Sequence, residues 1–120
     1  MAASAPLRFG RAARIKQGRD FARLRQQGER QVAGCLIANW HMLPASSRAR
    51  LGVITARKIG NAVARSRARR LLRECFRLHQ YELGQPVDLV LVARPSIAAK
   101  SFAEVEKDFL TTLRRARLLK

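Results

Sequence analysis

Lys58-Ile-Gly-Asn-Ala-Val-Ala-Arg-Ser-Arg-Ala-Arg-Arg-Leu-Leu-Arg-Glu-Cys-Phe-Arg77 carries two patterns at once. Stepped at about 100° per residue, Ala64, Ala68, Leu71, Leu72, Cys75 and Leu78 fall on one face, which predicts an amphipathic helix packed on a core. Arg65, Arg69, Arg73 and Arg77 form one i,i+4 ridge on the opposite flank, with Arg70 beside it. From Arg57 to Arg77 there are eight basic residues and one acid, Glu74. Each like-charge i,i+4 pair costs an isolated helix roughly 0.2–0.5 kcal/mol, so three such pairs cost about 0.6–1.5 kcal/mol, more than one Glu74–Arg77 contact returns. A ridge of this kind makes sense where a polyanion neutralises it. Arginine suits that partner, because its planar fork matches phosphate oxygens and its face stacks on bases. A merely solvated helix face usually mixes its signs.

Working outward, residues 51–57 read as a strand apolar enough to be covered on both faces. Gly60-Asn61 breaks the chain before the helix, which runs to about His79. A turn at Gly84-Gln-Pro86 leads into residues 87–93, the strongest strand signal in the chain, ended by Pro95. Upstream, residues 18–28 read as a short helix, with Asp20 in the cap or first turn, Phe21 and Leu24 as its apolar stripe and Gly28 as its stop. Residues 32–42 read as one strand, in which Leu36, Ala38 and Trp40 alternate with Cys35, Ile37 and Asn39. Residues 43–48 form a loop. Ser101 and Glu104 have capping-box spacing, and a last helix runs from Phe102 towards Leu118. The order helix, strand, strand, helix, strand, helix predicts an α/β (α+β) two-layer sandwich, with helices packed on a small sheet. Residues 87–93 belong at its centre, because their near-continuous apolar run would be exposed at an edge.

At 120 residues the chain is one domain with room for a core, and 48% hydrophobic content excludes a disordered chain. Twenty-five Lys and Arg against eight acids leave a net charge of +17, which favours association with nucleic acid or an anionic surface. Residues 1–18 are acid-free and read as a basic arm; residues 19–120 form the domain. No apolar run approaches the roughly 18–20 residues of a membrane span, and no secretory segment is visible. Cys35 and Cys75 read as packed, reduced thiols, which points to the cytoplasm.

No catalytic set stands out. The serines lack a His/Asp partnership, and Glu104, Glu106 and Asp108 alternate along one short helix and so point to different sides. Cys75-x-x-x-His79 with Cys35 and His41 does not have the spacing of a common zinc site, so no metal site is expected. Single-stranded RNA needs aromatic platforms besides phosphate contacts. Phe21 and Trp40 are the candidates; Phe76, Phe102 and Phe109 sit at core spacing.

The stretch Gly52-Val-Ile-Thr-Ala-Arg-Lys-Ile-Gly-Asn-Ala-Val-Ala-Arg-Ser-Arg-Ala-Arg-Arg-Leu-Leu-Arg-Glu-Cys-Phe76 resembles the signature of the bacterial ribonuclease P protein subunit. That signature pairs a strand ending in two basic residues with Gly-Asn-Ala-Val and an Arg-Asn-Arg helix. The resemblance covers most of the chain and includes Asp20-Phe21 and Gly28 in the first helix region. It implies a mixed sheet with a left-handed β-α-β crossover and a ribonucleoprotein endonuclease, a hydrolase that removes the 5′ leader from precursor tRNA. It further implies that the RNA subunit carries the active site and binds the Mg2+, so that no catalytic residue and no tightly bound cofactor belong to this chain. Its partners are then the ribonuclease P RNA subunit and precursor tRNA, with no membrane and no obligate protein partner.

Carried over by position, the RNA-contacting set is Arg57, Lys58, Asn61, Arg65, Ser66, Arg67, Arg69, Arg70 and Arg73. The leader-binding cleft takes Phe21, Arg14, Arg25 and Trp40 or Asn39, according to the register of the first strand. Two positions depart from the family pattern. Ser66 replaces the usual Asn, a shorter hydroxyl for a carboxamide, and Arg25 stands where many members have a second aromatic. The competing reading is a structural RNA-binding protein, ribosomal-protein-like or an RNA chaperone, with no part in cleavage.

Overall fold

The computed structural model describes residues 14, 15 and 18–120. The basic arm expected over 1–18 lies outside the described residues apart from Arg14, Ile15 and Gly18, and so do the side chain of Asp20 and the cap expected of it. In chain order the elements are α1 (Gly18–Gln27), β1 (Glu29–Ala33), β2 (Leu36–Met42), β3 (Arg50–Ile54), α2 (Ala62–His79), β4 (Val87–Ala93) and α3 (Phe102–Arg115). Short 3-10 turns lie at Arg57–Ile59, Gln80–Glu82 and Pro95–Ala99. The strands form one mixed sheet in the order β1-β2-β4-β3. β2 is antiparallel to β1 and β4, and β3 is parallel to β4, so α2 is the crossover of a β-α-β unit.

β4 lies inside the sheet, as its apolar run requires, and six of its seven residues are buried. Val87, Leu89, Leu91 and Ala93 face the main core, which α2 fills with Ala68, Leu72, Cys75 and Phe76 and α3 with Val105, Phe109 and Leu113. Val90 belongs to a second, smaller cluster with Ile15 and Leu24, packed against Phe21, Ile54 and Val92. Helices therefore cover both sheet faces, α2 and α3 on one and α1 on the other. This adds a partial third layer to the two expected, because β4 is apolar on both sides.

Two boundaries differ from the sequence reading. The single strand expected over 32–42 is the second half of a hairpin, turned at Gly34-Cys35 between the paired residues Ala33 and Leu36. Gly34 has φ 55°, the left-handed conformation that a two-residue hairpin loop needs at its first position. A Cβ there would also lie 2.1 Å from the carboxylate of Asp108, which accepts from the Cys35 backbone N–H at 3.0 Å. α3 ends at Arg115 rather than near Leu118, because Arg117 turns left-handed with φ 60°. The helix starts agree with expectation. Asn61 caps α2 by accepting from Ala64 N–H at 2.9 Å, and Ser101 with Glu104 closes a capping box on α3.

One charge lies buried in β4. Asp88 is 1% exposed, and the Arg50 fork donates to it from Nε at 2.8 Å and from Nη2 at 2.7 Å. At the far end of α2, His79 pairs through Nδ1 with Glu82 and through Nε2 with Glu106 at 2.8 Å, and its ring packs near Phe109. Burial alone would lower its pKa most, but the bonds to Glu106 and Glu82 outweigh it and hold the imidazolium above the usual 6.5.

A histidine raised on folding stabilises fully below its unfolded value and loses that contribution as pH rises through the folded value. The clamp should therefore hold at pH 6 and weaken through and above neutrality. In His79→Gln the thermal midpoint should fall more at pH 6 than at pH 8.5; an equal loss at both would show that the ring acts only by packing.

Candidate nucleic-acid interface

The buried face of α2 points into the core, so the ridge expected on its other flank faces outwards. Between that flank and Arg14 lies a groove lined by Arg14, Ser66, Arg69, Arg70, Arg73, Glu74 and Arg77. Arg14 reaches it because the chain there runs beside β3: Arg14 bridges Leu51 in parallel, and Ile15 N–H donates to Leu51 O at 2.9 Å. Five arginines thus face one carboxylate, and that carboxylate is taken. Glu74 accepts from Arg77 Nε at 2.8 Å and from Nη2 at 2.6 Å, which holds its carboxyl below the usual range. Arg69 is aimed by Thr55 Oγ1 at 2.7 Å and Ser66 Oγ at 3.1 Å. The hydroxyl at the departing position thus orients a guanidinium. Burial, then the charges of Arg14 and Arg69, pull the Arg73 pKa down, and an anion bound in the groove would offset those two charges.

Not every arginine of the expected set converges there. Arg67 lies on the other flank of α2, where Nη2 donates to Lys100 O at 2.6 Å and Nη1 to Ile97 O at 3.5 Å, tying the helix to the turn before α3. Arg57 and Lys58 are exposed in the 3-10 turn ahead of α2. The Asn61 side-chain oxygen serves the cap, on an exposed residue. Arg65 stands half-buried one turn before Arg69.

The second surface is the sheet face under α1. Phe21 is half-buried there, and its ring occupies the space above Gly52: a Cβ on Gly52 would lie 2.5 Å from the ring. The register decides between the two first-strand candidates. Asn39 pairs with Val90 and so shares the α1 face, where it is buried, whereas Trp40 pairs with Leu89 and faces the main core. Trp40 is therefore not a platform for this face; alternation along β2 turns it inwards. Arg25 is exposed on α1. Sequence reasoning missed a row that crosses all four strands beside α1. Val32 pairs with Ile37, Ile37 with Val92, and Val92 with Ile54, and each of the four keeps part of its surface open. Only the inter-strand register brings these residues together.

Among the described residues no three His, Cys, Asp or Glu side chains are placed to hold a metal ion, and no helix is long and apolar enough to cross a membrane. Both cysteines are free and buried, and burial first of all pushes their thiols up to about 12, so neither is a nucleophile at neutral pH. What these surfaces present is cations and partly open rings.

Known proteins carry the same pattern. Residues 9–117 match the family model described as Ribonuclease P. The Ribonuclease P protein component of Syntrophomonas wolfei is 36% identical over 106 residues, covering 88% of each chain. That of Desulfovibrio desulfuricans is 37% identical over 110 residues, covering 88% of this chain and 83% of its own. Among solved structures, a Staphylococcus aureus RNase P protein mutant with defective mRNA degradation activity superposes with a TM-score of 0.83 at 25% identity, covering 90% of this chain and 91% of that one. The Thermotoga maritima RNase P protein shares the fold at a TM-score of 0.75, covering 85% of this chain and 96% of its own. This chain belongs to the ribonuclease P protein family and is a protein subunit of that ribonucleoprotein.

Proposed function

We propose that this subunit grips the ribonuclease P RNA subunit through the groove between Arg14 and α2, and holds the 5′ leader of precursor tRNA against the sheet face under α1. The observation that carries this reading is the convergence of five arginines on a groove whose single carboxylate is already paired. Arg65, Arg69, Arg70 and Arg73, with Arg57, Lys58, Asn61 and Ser66 at the head of α2, contact phosphates and riboses of the RNA subunit. Arg67 supports that surface by fixing α2. In the cleft, Phe21 offers a partly open ring seated on Gly52, with the exposed Arg25 as its cation and Asn39 in the buried floor, while Arg14, which the resemblance also assigned to the cleft, serves the arginine groove instead. The RNA subunit supplies the active site and binds the Mg2+, and the assembly acts in the cytoplasm. The protein contributes position and charge: it neutralises phosphates that would otherwise repel, so that leader and RNA subunit approach at lower Mg2+.

Nuclease-free protein alone should leave precursor tRNA intact. Adding the cognate RNA subunit at low Mg2+ should restore cleavage at the mature 5′ end. If about six phosphates are neutralised, log K for the RNA subunit should fall against log salt with a slope of roughly −4 to −5. Cleavage by the protein without RNA, or a slope near −1, would overturn this division of roles.

Phe21→Ala should weaken binding of precursor tRNA by roughly five- to a hundredfold, the worth of one stacked base, and leave mature tRNA nearly unchanged. Gly52→Ala gives a second view, since its methyl group displaces the ring without removing it. Equal effects on both RNAs, or none on either, in a protein with an intact thermal midpoint would take Phe21 out of the leader site.

A further inference from the structure

α3 closes in a Schellman arrangement: Leu118 N–H donates to Leu113 O, and Arg117 N–H to Arg114 O, both at 3.0 Å. The residue that turns left-handed in this closure is ordinarily glycine. Here it is Arg117, the only non-glycine with positive φ among the described residues. The chain then doubles back on the turn after α2. Gly84 N–H donates to Leu118 O at 2.8 Å, Lys120 N–H donates to Glu82 O at 2.8 Å, and Leu83 and Leu119 form an antiparallel bridge. Arg114, Arg115, Arg117 and Lys120 are all exposed on this end, and none is ion-paired among the described residues. The nearby acid, Glu82, is taken by His79. Tyr81 lies in the same turn and, at 47%, is the most exposed of the Phe, Tyr and Trp residues among the described ones.

We propose that this end is a further RNA-binding patch, lying just beyond the C-terminal end of α2 and occupied by the RNA subunit rather than by precursor tRNA. The cations take backbone phosphates, and Tyr81 offers a face to an unpaired base. Two arguments support it. A left-handed arginine costs stability that glycine would not, and such strain persists where the side chain is wanted for another purpose. The turn at Gln80–Glu82 follows directly on His79, the last residue of α2. The patch thus lies beyond the C-terminal end of the helix, about 27 Å long, that carries the arginine ridge. The inference rests on the groove being the RNA-subunit site.

The test compares two variants that lower net charge equally, R115A/R117G in the patch and R48A/R94A on loops elsewhere, with R117G and Y81A measured singly. For each, affinity for the RNA subunit and for precursor tRNA is titrated against salt, beside the thermal midpoint. R117G should raise the midpoint by about 2–5 °C and still weaken RNA-subunit binding, because it relieves strain and removes a cation. R115A/R117G should flatten the salt slope by about 1.4–1.8, and R48A/R94A by much less. Y81A should weaken the RNA subunit roughly five- to a hundredfold. Equal losses in the two charge-matched variants, no loss in either patch variant, or a loss confined to precursor tRNA would overturn the proposal. Wild-type protein that fails to bind the RNA subunit would instead overturn the reading of the groove.

Discussion

The structure depends on the need to cover β4 from both sides. Its seven residues carry one charge, and burying side chains such as Val, Leu and Ile contributes roughly 1.5–3 kcal/mol each, so leaving either face open would forfeit several times that. One face is met by α2 and α3 and the other by α1 with Ile15. Placing β3 parallel to β4 obliges the chain to cross over between them, and the crossover is α2. The arginine-rich helix is thus pinned to the sheet by the strand it precedes, and its charged flank has no choice but to face outwards. Asp88 is compatible with this burial only because the Arg50 fork satisfies both of its oxygens; without the partner a buried charge would cost about 3–5 kcal/mol.

Local signals were legible where one residue type has one structural meaning. Asn61 and Ser101 mark helix starts through side-chain acceptors, and the spacing of Ala68, Leu72 and Cys75 gives the buried face of α2 without reference to anything else. Signals failed where meaning depends on a neighbour in space. Ala33-Gly34-Cys35 is small and apolar enough to continue an alternating strand, so Gly34 was the one local sign of a hairpin and stood without a second turn residue beside it. Arg117 hides the end of α3, because the glycine that normally signals a left-handed closure is missing. Trp40 looked like a platform by chemistry, although the alternation with Leu36 and Ala38 already placed it on the core side; only the pairing with Leu89 decides it. The Val32, Ile37, Val92 and Ile54 row draws one residue from each strand and has no sequence spacing at all.

The arginine groove sets stability against binding. Three like-charge i,i+4 pairs along α2 cost about 0.6–1.5 kcal/mol, and the single internal relief, Glu74 with Arg77, sits at one end of the ridge. The cost is carried by the tertiary packing of the opposite face, where Leu72, Cys75 and Phe76 are fully or almost fully buried. A helix anchored in this way can present a charge density that would disfavour it in isolation. Binding a polyanion then returns that repulsion as affinity and stabilises the folded state by mass action.

The arginine groove and the leader cleft both hang from the outer edge of β3. Leu51 holds the Arg14–Ile15 segment through its bridge and carbonyl, and so sets one wall of the arginine groove. The next residue, Gly52, points to the opposite face and seats the Phe21 ring. Successive residues of a strand face opposite sides of the sheet, so adjacent positions serve two surfaces without sharing a side chain. A shift of β3 by one residue along β4 would exchange these roles, putting Leu51 under α1 and Gly52 in the main core. Its register is therefore held tightly, by Leu51 in the core and by the Arg50–Asp88 fork on the other face. On the reading proposed here, that register is what brings an RNA in the groove and a leader in the cleft to one strand edge, close enough for a single small domain to position one against the other.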